Sequence, residues 1–141
     1  MKLFLDTSAF AKRYIAEPGS DKVLASCEKA DSLTVSVICL PELISTLCRL
    51  SRERRITKTA YRRLKAEAMA DLADVDVCQI TAEVMASAVS LLEATPLRAM
   101  DALHVACALT CAPEIFLSAD RRQLTAARKA GLRTVDVSSK R

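Results

Sequence analysis

The sequence predicts an α/β fold in which βα units surround a parallel sheet of about five strands. Two observations carry this reading. Short apolar runs of strand character alternate along the chain with longer segments of helical period. Capping and breaking residues, among them Thr81, Pro96 and Gly131, stand at the junctions between them. The chain has 141 residues, 51% of them hydrophobic, with two glycines and four prolines. Residues 1–141 therefore read as a single domain with an Ala/Leu/Val-rich core, large enough to bury roughly two thirds of its unfolded surface.

In chain order, Lys2 to Leu5 is an apolar strand ending at Asp6, and Thr7 and Ser8 are placed to cap a helix that must stop before Pro18 and Gly19. Ser20 is placed to cap a second helix over about 21–29. Leu33 to Ile38 alternates as a strand, and Pro41 then opens a helix with Leu43, Ile44, Leu47 and Cys48 on one face. A further helix spans about 58–74, a third strand about 75–80, and Thr81 caps a helix with Met85, Ala88, Val89 and Leu92 at helical spacing. Thr95 and Pro96 end it. Arg98 to Cys111 is a helix apolar on nearly every side, Ile115 to Leu117 is the fourth strand, Gly131 closes the next helix, and Thr134 to Val137 is the fifth strand.

Four acids sit at equivalent places in this scheme. Asp6 and Asp120 each follow a buried strand, while Glu42 and Asp101 lie in the first turn or so of a helix. Strand carboxyl ends and helix amino ends share one rim of an open parallel sheet, the rim where ligands bind. Carboxylates gathered there repel by several kcal/mol per pair at about 4 Å, a cost that a bound cation removes. An oxygen-only donor set suits Mg²⁺ or Mn²⁺ better than zinc, and such ions activate water and neutralise charge on a phosphoryl group. Each acid also has a plainer reading: Asp6 and Asp120 as helix caps, Glu42 as an acid favoured by the helix dipole. Asp101 has the least room for one, because the apolar residues around it leave its carboxylate in need of a partner.

The segments LFLDTSAFAKRYIAEPGS, PEL, LRAMDALHVACAL and FLSADRRQLTAARKAGL, in this order and over essentially the whole chain, resemble the PIN-domain ribonucleases, in particular the VapC-type toxins of toxin–antitoxin pairs. The resemblance implies a three-layer α/β/α sandwich, a Mg²⁺- or Mn²⁺-dependent endoribonuclease activity, a homodimer, and a cognate antitoxin that covers the acidic site with a peptide carrying Arg or Lys. It assigns the catalytic and metal-holding roles to Asp6, Glu42, Asp101 and Asp120. It also places Ser8 and Ser118 as hydroxyls that support the acids from behind. Ser118 stands where the family often has Thr, which makes Asp120 the member with the most auxiliary role. LFLDTS also resembles the opening strand of haloacid dehalogenase-type phosphatases, but Ser8 replaces the second aspartate they need. A third reading is a fold-retaining binding module without turnover.

The formal net charge is +4 despite the acids at the rim. Arg49, Arg52, Arg54, Arg55, Lys58, Arg62, Arg63 and Lys65 form one basic stretch, and Arg121, Arg122, Arg128 and Lys129 a second. Both suit contacts to RNA phosphates, although any single one of these residues is more readily explained as part of a solvated helix face. Phe4, Phe10, Phe116, Tyr14 and Tyr61 are the only aromatics, which gives no broad stacking platform. His104, the sole histidine, lies one helical turn from Asp101 and reads as a packing residue outside the catalytic set. The six cysteines lack CxxC spacing and read as buried reduced thiols. The amino terminus carries neither a signal peptide nor a membrane span, so a cytoplasmic protein with no membrane partner is expected.

Overall fold

The computed structural model describes residues 1–139. A five-stranded sheet, entirely parallel, runs in the order β3-β2-β1-β4-β5. Its strands are β1 (Lys2–Leu5), β2 (Ser32–Ser36), β3 (Asp76–Cys78), β4 (Ile115–Ser118) and β5 (Thr134–Asp136). The helices are α1 (Thr7–Ala11), α2 (Ser20–Lys29), α3 (Cys39–Arg52), α4 (Lys58–Leu72), α5 (Ala82–Ala94), α6 (Ala99–Cys111) and α7 (Arg121–Lys129).

The two-residue period of the strands divides the core. Leu3 and Leu5 of β1 and Leu117 of β4 face one way, onto Phe10, Val23, Leu43, Leu47, Leu64 and Ala68 of α1 to α4. Phe4 and Phe116 face the other way, onto Val84, Ala88, Val105 and Leu124 of α5 to α7. The two phenylalanines are paired in register and their rings stack at 5.7 Å. The result is the α/β/α sandwich expected, with helices on both faces because a parallel sheet buries both.

Several local expectations change. The cap of α1 is Asp6, which accepts from the Ala9 N–H, so neither Thr7 nor Ser8 serves there. That helix ends at Ala11, and the chain continues through turns closed by the Arg13 and Tyr14 amides. Ser20 does not cap α2 but begins it. The position before it is Gly19, at φ +94°, where a Cβ would meet the Val137 carbonyl oxygen at 1.9 Å. On α5 the stripe Val84, Ala88 and Leu91 faces the core, leaving Met85, Val89 and Leu92 exposed. Both stripes have helical spacing, and only packing against α6 selects between them. β2 ends two residues earlier than expected, and β3 is shorter at both ends.

All six cysteines are free thiols. Burial pushes Cys39, beside the carboxyl rim, up to about 12, so it is a neutral thiol at physiological pH. Among the described residues no helix is long and apolar enough to cross a membrane.

Candidate active site

The sheet order places β1 between β2 and β4, so the chain leaves β1 toward one side and returns on the other. The crevice at such a reversal opens at the carboxyl ends of the strands. Asp6 follows β1 directly and its amide donates to the Leu117 carbonyl of β4, 3.2 Å away. Asp120 follows β4 two residues past the strand end, and Glu42 and Asp101 lie in the first turns of α3 and α6.

Asp6 is fully buried and its carboxylate is ringed by donors. Ser8 Oγ donates to both carboxylate oxygens, at 2.7 and 2.9 Å. Ser118 Oγ donates to Oδ2 at 2.7 Å, and the Ala9 amide donates to Oδ1 at 2.9 Å. The two serines also accept from the next strand's loop: Ser8 from the Ala119 N–H and Ser118 from the Asp120 N–H, each at 2.9 Å. Together they fasten the end of β1 to the end of β4. Burial nevertheless pushes the Asp6 carboxyl above its ordinary value, outweighing these donors.

Glu42 is half-buried and receives two hydrogen bonds on Oε1, from Thr7 Oγ1 at 2.7 Å and from His104 Nε2 at 2.5 Å. The His104 ring nitrogen also lies 3.1 Å from Thr7 Oγ1, and its Nδ1 is buried without a partner among the described residues. Burial raises the Glu42 carboxyl, but the His104 and Thr7 hydrogen bonds outweigh it and hold the group below the ordinary glutamate range. His104 is buried, as its reading as a packing residue expects, and it also touches a rim acid through Glu42. Its three-residue spacing from Asp101 was the visible signal; the partner it chooses, 62 positions away, was not.

Asp101 sits at the third position of α6. It accepts from Gln123 Nε2 at 2.9 Å. This supplies the partner that its apolar surroundings require. Gln123 is buried on α7, and sequence reasoning passed over it. Its position three residues after Asp120, on the otherwise apolar face of Leu124, Ala126 and Ala127, was the available sign. Asp120 caps α7, accepting at Oδ1 from the Arg122 and Gln123 amides at 2.8 and 3.3 Å. Asp101 and Asp120 share a cleft of about 330 Å³ with Arg98, Arg121 and Arg122. Burial and the neighbouring Asp120 charge together push the Asp101 carboxyl up.

All four acids thus occupy one rim. Glu42 pairs with His104, and Asp101 faces Asp120. Among the described residues no three His, Cys, Asp or Glu side chains stand close enough together to hold a metal ion. In charge and donor type the set nevertheless fits a hard divalent cation. The donors are carboxylate oxygens, and ionisation is disfavoured at Asp6 by burial and at Asp101 by burial together with the neighbouring Asp120, so a cation bound there would offset both.

A family model described as PIN domain matches residues 3–129. The chain belongs to the PIN-domain family. Within it, the chain is 31% identical over 137 residues to Ribonuclease VapC45 of Mycobacterium tuberculosis, a match spanning 93% of this chain and 92% of the relative. Its fold matches that of a toxin–antitoxin complex from Klebsiella pneumoniae with a TM-score of 0.70 at 14% identity, over 97% of this chain and 98% of that one. It also matches the Mycobacterium tuberculosis toxin VapC20, described as cleaving the sarcin–ricin loop. There the TM-score is 0.67 at 21% identity, over 95% of this chain and 98% of that one. This PIN domain is of the VapC type, the more specific of the two family resemblances that its opening strand carries.

Proposed function

We propose that this PIN domain is a Mg²⁺- or Mn²⁺-dependent endoribonuclease and the toxin of a toxin–antitoxin pair. The observation that carries the reading is the convergence of Asp6, Glu42, Asp101 and Asp120, from four separate segments, on the crevice between β1 and β4. Membership among the VapC-type proteins supports RNA as the substrate and an antitoxin as the partner.

Asp6, Glu42, Asp101 and Asp120 are the residues that would hold the cation. When bound, it supplies charge neutralisation at the phosphate and a water acidic enough to attack at neutral pH. Ser8 and Ser118 fix the Asp6 carboxylate from behind, so its orientation does not depend on the substrate. Thr7 and His104 do the same for Glu42 from one side, both hydrogen bonds falling on Oε1. Gln123 holds Asp101 through Oδ1. Water attacks phosphorus in line and the 3′ oxygen leaves with the proton it gains, giving 5′-phosphate and 3′-hydroxyl ends.

The exposed stripe Met85, Val89 and Leu92 on α5, with exposed Met100 at the start of α6, supports self-association of the domain as a homodimer. An antitoxin segment carrying Arg or Lys would neutralise the same acids that a substrate-bound cation does.

The test is incubation with total RNA, with and without Mg²⁺ or Mn²⁺, followed by mapping of the ends. Metal-dependent cuts with 5′-phosphate ends, lost in Asp6→Asn, are expected. Cuts that persist in excess EDTA, or cyclic-phosphate ends, would overturn the proposal. RNA bound but left intact under every metal condition favours the non-catalytic reading.

A further inference from the structure

We propose that the solvent-facing side of α3 beyond Glu42 is a track for one RNA strand, on which Arg49 and Arg55 grip phosphates outside the one being cut. This deepens the ribonuclease reading and rests on it. Glu42, Ser45, Thr46 and Arg49 recur at the spacing of one helix face, and all four line a single groove of about 650 Å³. The opposite wall comes from α1 and the segment after it, through Thr7, Ser8, Lys12 and Ile15. Arg55 lies at one part of this lining, and Arg98 links the groove to the cleft holding Asp101 and Asp120, because it lines both.

The charges in the groove are unequally engaged. Lys12 is buried, with its ammonium 3.1 Å from Glu17 and 2.7 Å from the Pro18 carbonyl, so it is committed to holding its own loop. Among the described residues Arg55 has one ion pair, to Glu53 at 4.0 Å between two exposed side chains, a contact that competes weakly with a ligand. Arg49 is exposed and has no ion pair among the described residues. Seven residues of helix separate it from Glu42, about 10 Å along the axis. A phosphate it contacts is therefore not the one at the acids but another on the same strand.

The occupant is consequently a polyanion long enough to reach both ends. Hydroxyls from Thr7, Ser8, Ser45 and Thr46 add neutral hydrogen-bonding groups, and no aromatic side chain lines the groove. Recognition is then of the sugar–phosphate backbone, with little stacking on bases. A basic antitoxin segment would be drawn to the acids but repelled along α3 by Arg49 and Arg55, which favours RNA as the ligand of this stretch.

The experiment measures binding of a fluorescent single-stranded oligoribonucleotide by anisotropy, in EDTA and over a range of salt, to wild type and to Arg49→Gln/Arg55→Gln. A pair of exposed cations outside the groove, Lys29→Gln/Arg133→Gln, serves as the charge-matched control. Loss of two phosphate contacts should make the slope of log affinity against log salt shallower by about 1.4, at about 0.7 per contact. Affinity at low salt should fall about tenfold or more, with the control pair changed much less. In cleavage assays the Arg49/Arg55 loss should fall mainly on KM. An unchanged slope, a loss matched by the control pair, or no wild-type binding even at low salt overturns the track. Wild type that binds in this way but never cleaves with Mg²⁺ or Mn²⁺ instead sinks the ribonuclease reading and leaves the track standing.

Discussion

His104 Nε2 lies 2.5 Å from Glu42 Oε1, joining the middle of α6 to the first turn of α3 across the carboxyl rim. Removing the imidazole takes away a donor that holds the Glu42 carboxyl down, while burial goes on pushing it up. In His104→Ala, Glu42 should therefore release its proton at higher pH than in wild type. The acid limb of a pH–rate profile should move upward, and activity below neutrality should fall about tenfold or more, of the order attributed to outer hydrogen-bond partners of metal-holding groups. An acid limb that stays in place would remove His104 from the site.

Asp101→Asn should separate stability from activity. The amide keeps an oxygen to accept from Gln123 and relieves both the burial of a charge and its repulsion by Asp120. The metal-free variant should melt higher than wild type, by about 2–4 °C if the relief is about 1 kcal/mol. Its RNA cleavage should fall by a factor of about 100 or more. Thermal melts beside cleavage assays test both parts, and a lower melting temperature would contradict the assigned electrostatics.

The pH dependence of stability has a definite sign. Asp6 and Asp101 both lie above their ordinary values, so over the interval up to those raised values the folded chain holds protons that the unfolded chain has released. From these two groups, stability of the metal-free protein falls as pH rises through that interval and is fully present below the unfolded values. Mg²⁺ or Mn²⁺ should raise the melting temperature, more so at higher pH where the carboxylates are ionised. Melts across pH, with and without the cation, measure this. A cation effect that weakens as pH rises would contradict it.

Two glycines offer a matched comparison. Gly19 and Gly131 have similar positive φ values, +94° and +98°, but a Cβ on Gly19 meets the Val137 carbonyl whereas one on Gly131 meets nothing within 4 Å. Gly131→Ala should cost roughly 1–2 kcal/mol for its left-handed backbone alone. Gly19→Ala should cost clearly more, because the backbone of the carboxyl-terminal segment must shift. Equal losses on chemical denaturation would show that this approach is not maintained in solution.

Val89→Glu should leave the fold intact and shift the domain toward monomer, since Val89 is 53% exposed in the middle of the apolar stripe. Light scattering after size exclusion decides this. A wild-type monomer at high concentration would remove the stripe's assigned role.

Much of this architecture is readable from sequence because strand period, helix period and junction residues agree with one another. The four acids were readable as rim residues for the same reason. What stayed hidden depends on packing across the sheet. On α5, the 84/88/91 and 85/89/92 stripes are both apolar at identical spacing, so which one faces inward is decided by α6. Gln123 escaped notice, and the link from His104 to Glu42 was not visible, because neither one's partner lies on its own helix. Asp6 and Asp120 proved to be helix caps as well as rim acids, so those two readings were never exclusive.

Asp6 depends on Ser118, 112 positions later in the chain, and that serine arrives only with β4. Ser8 and Ala9 supply donors from the adjoining turn, but the ring around the carboxylate closes only when β4 pairs with β1. The last donor to this carboxylate is thus delivered by the β1–β4 pairing and not by the local turn, so the first acid of the rim is set by tertiary structure.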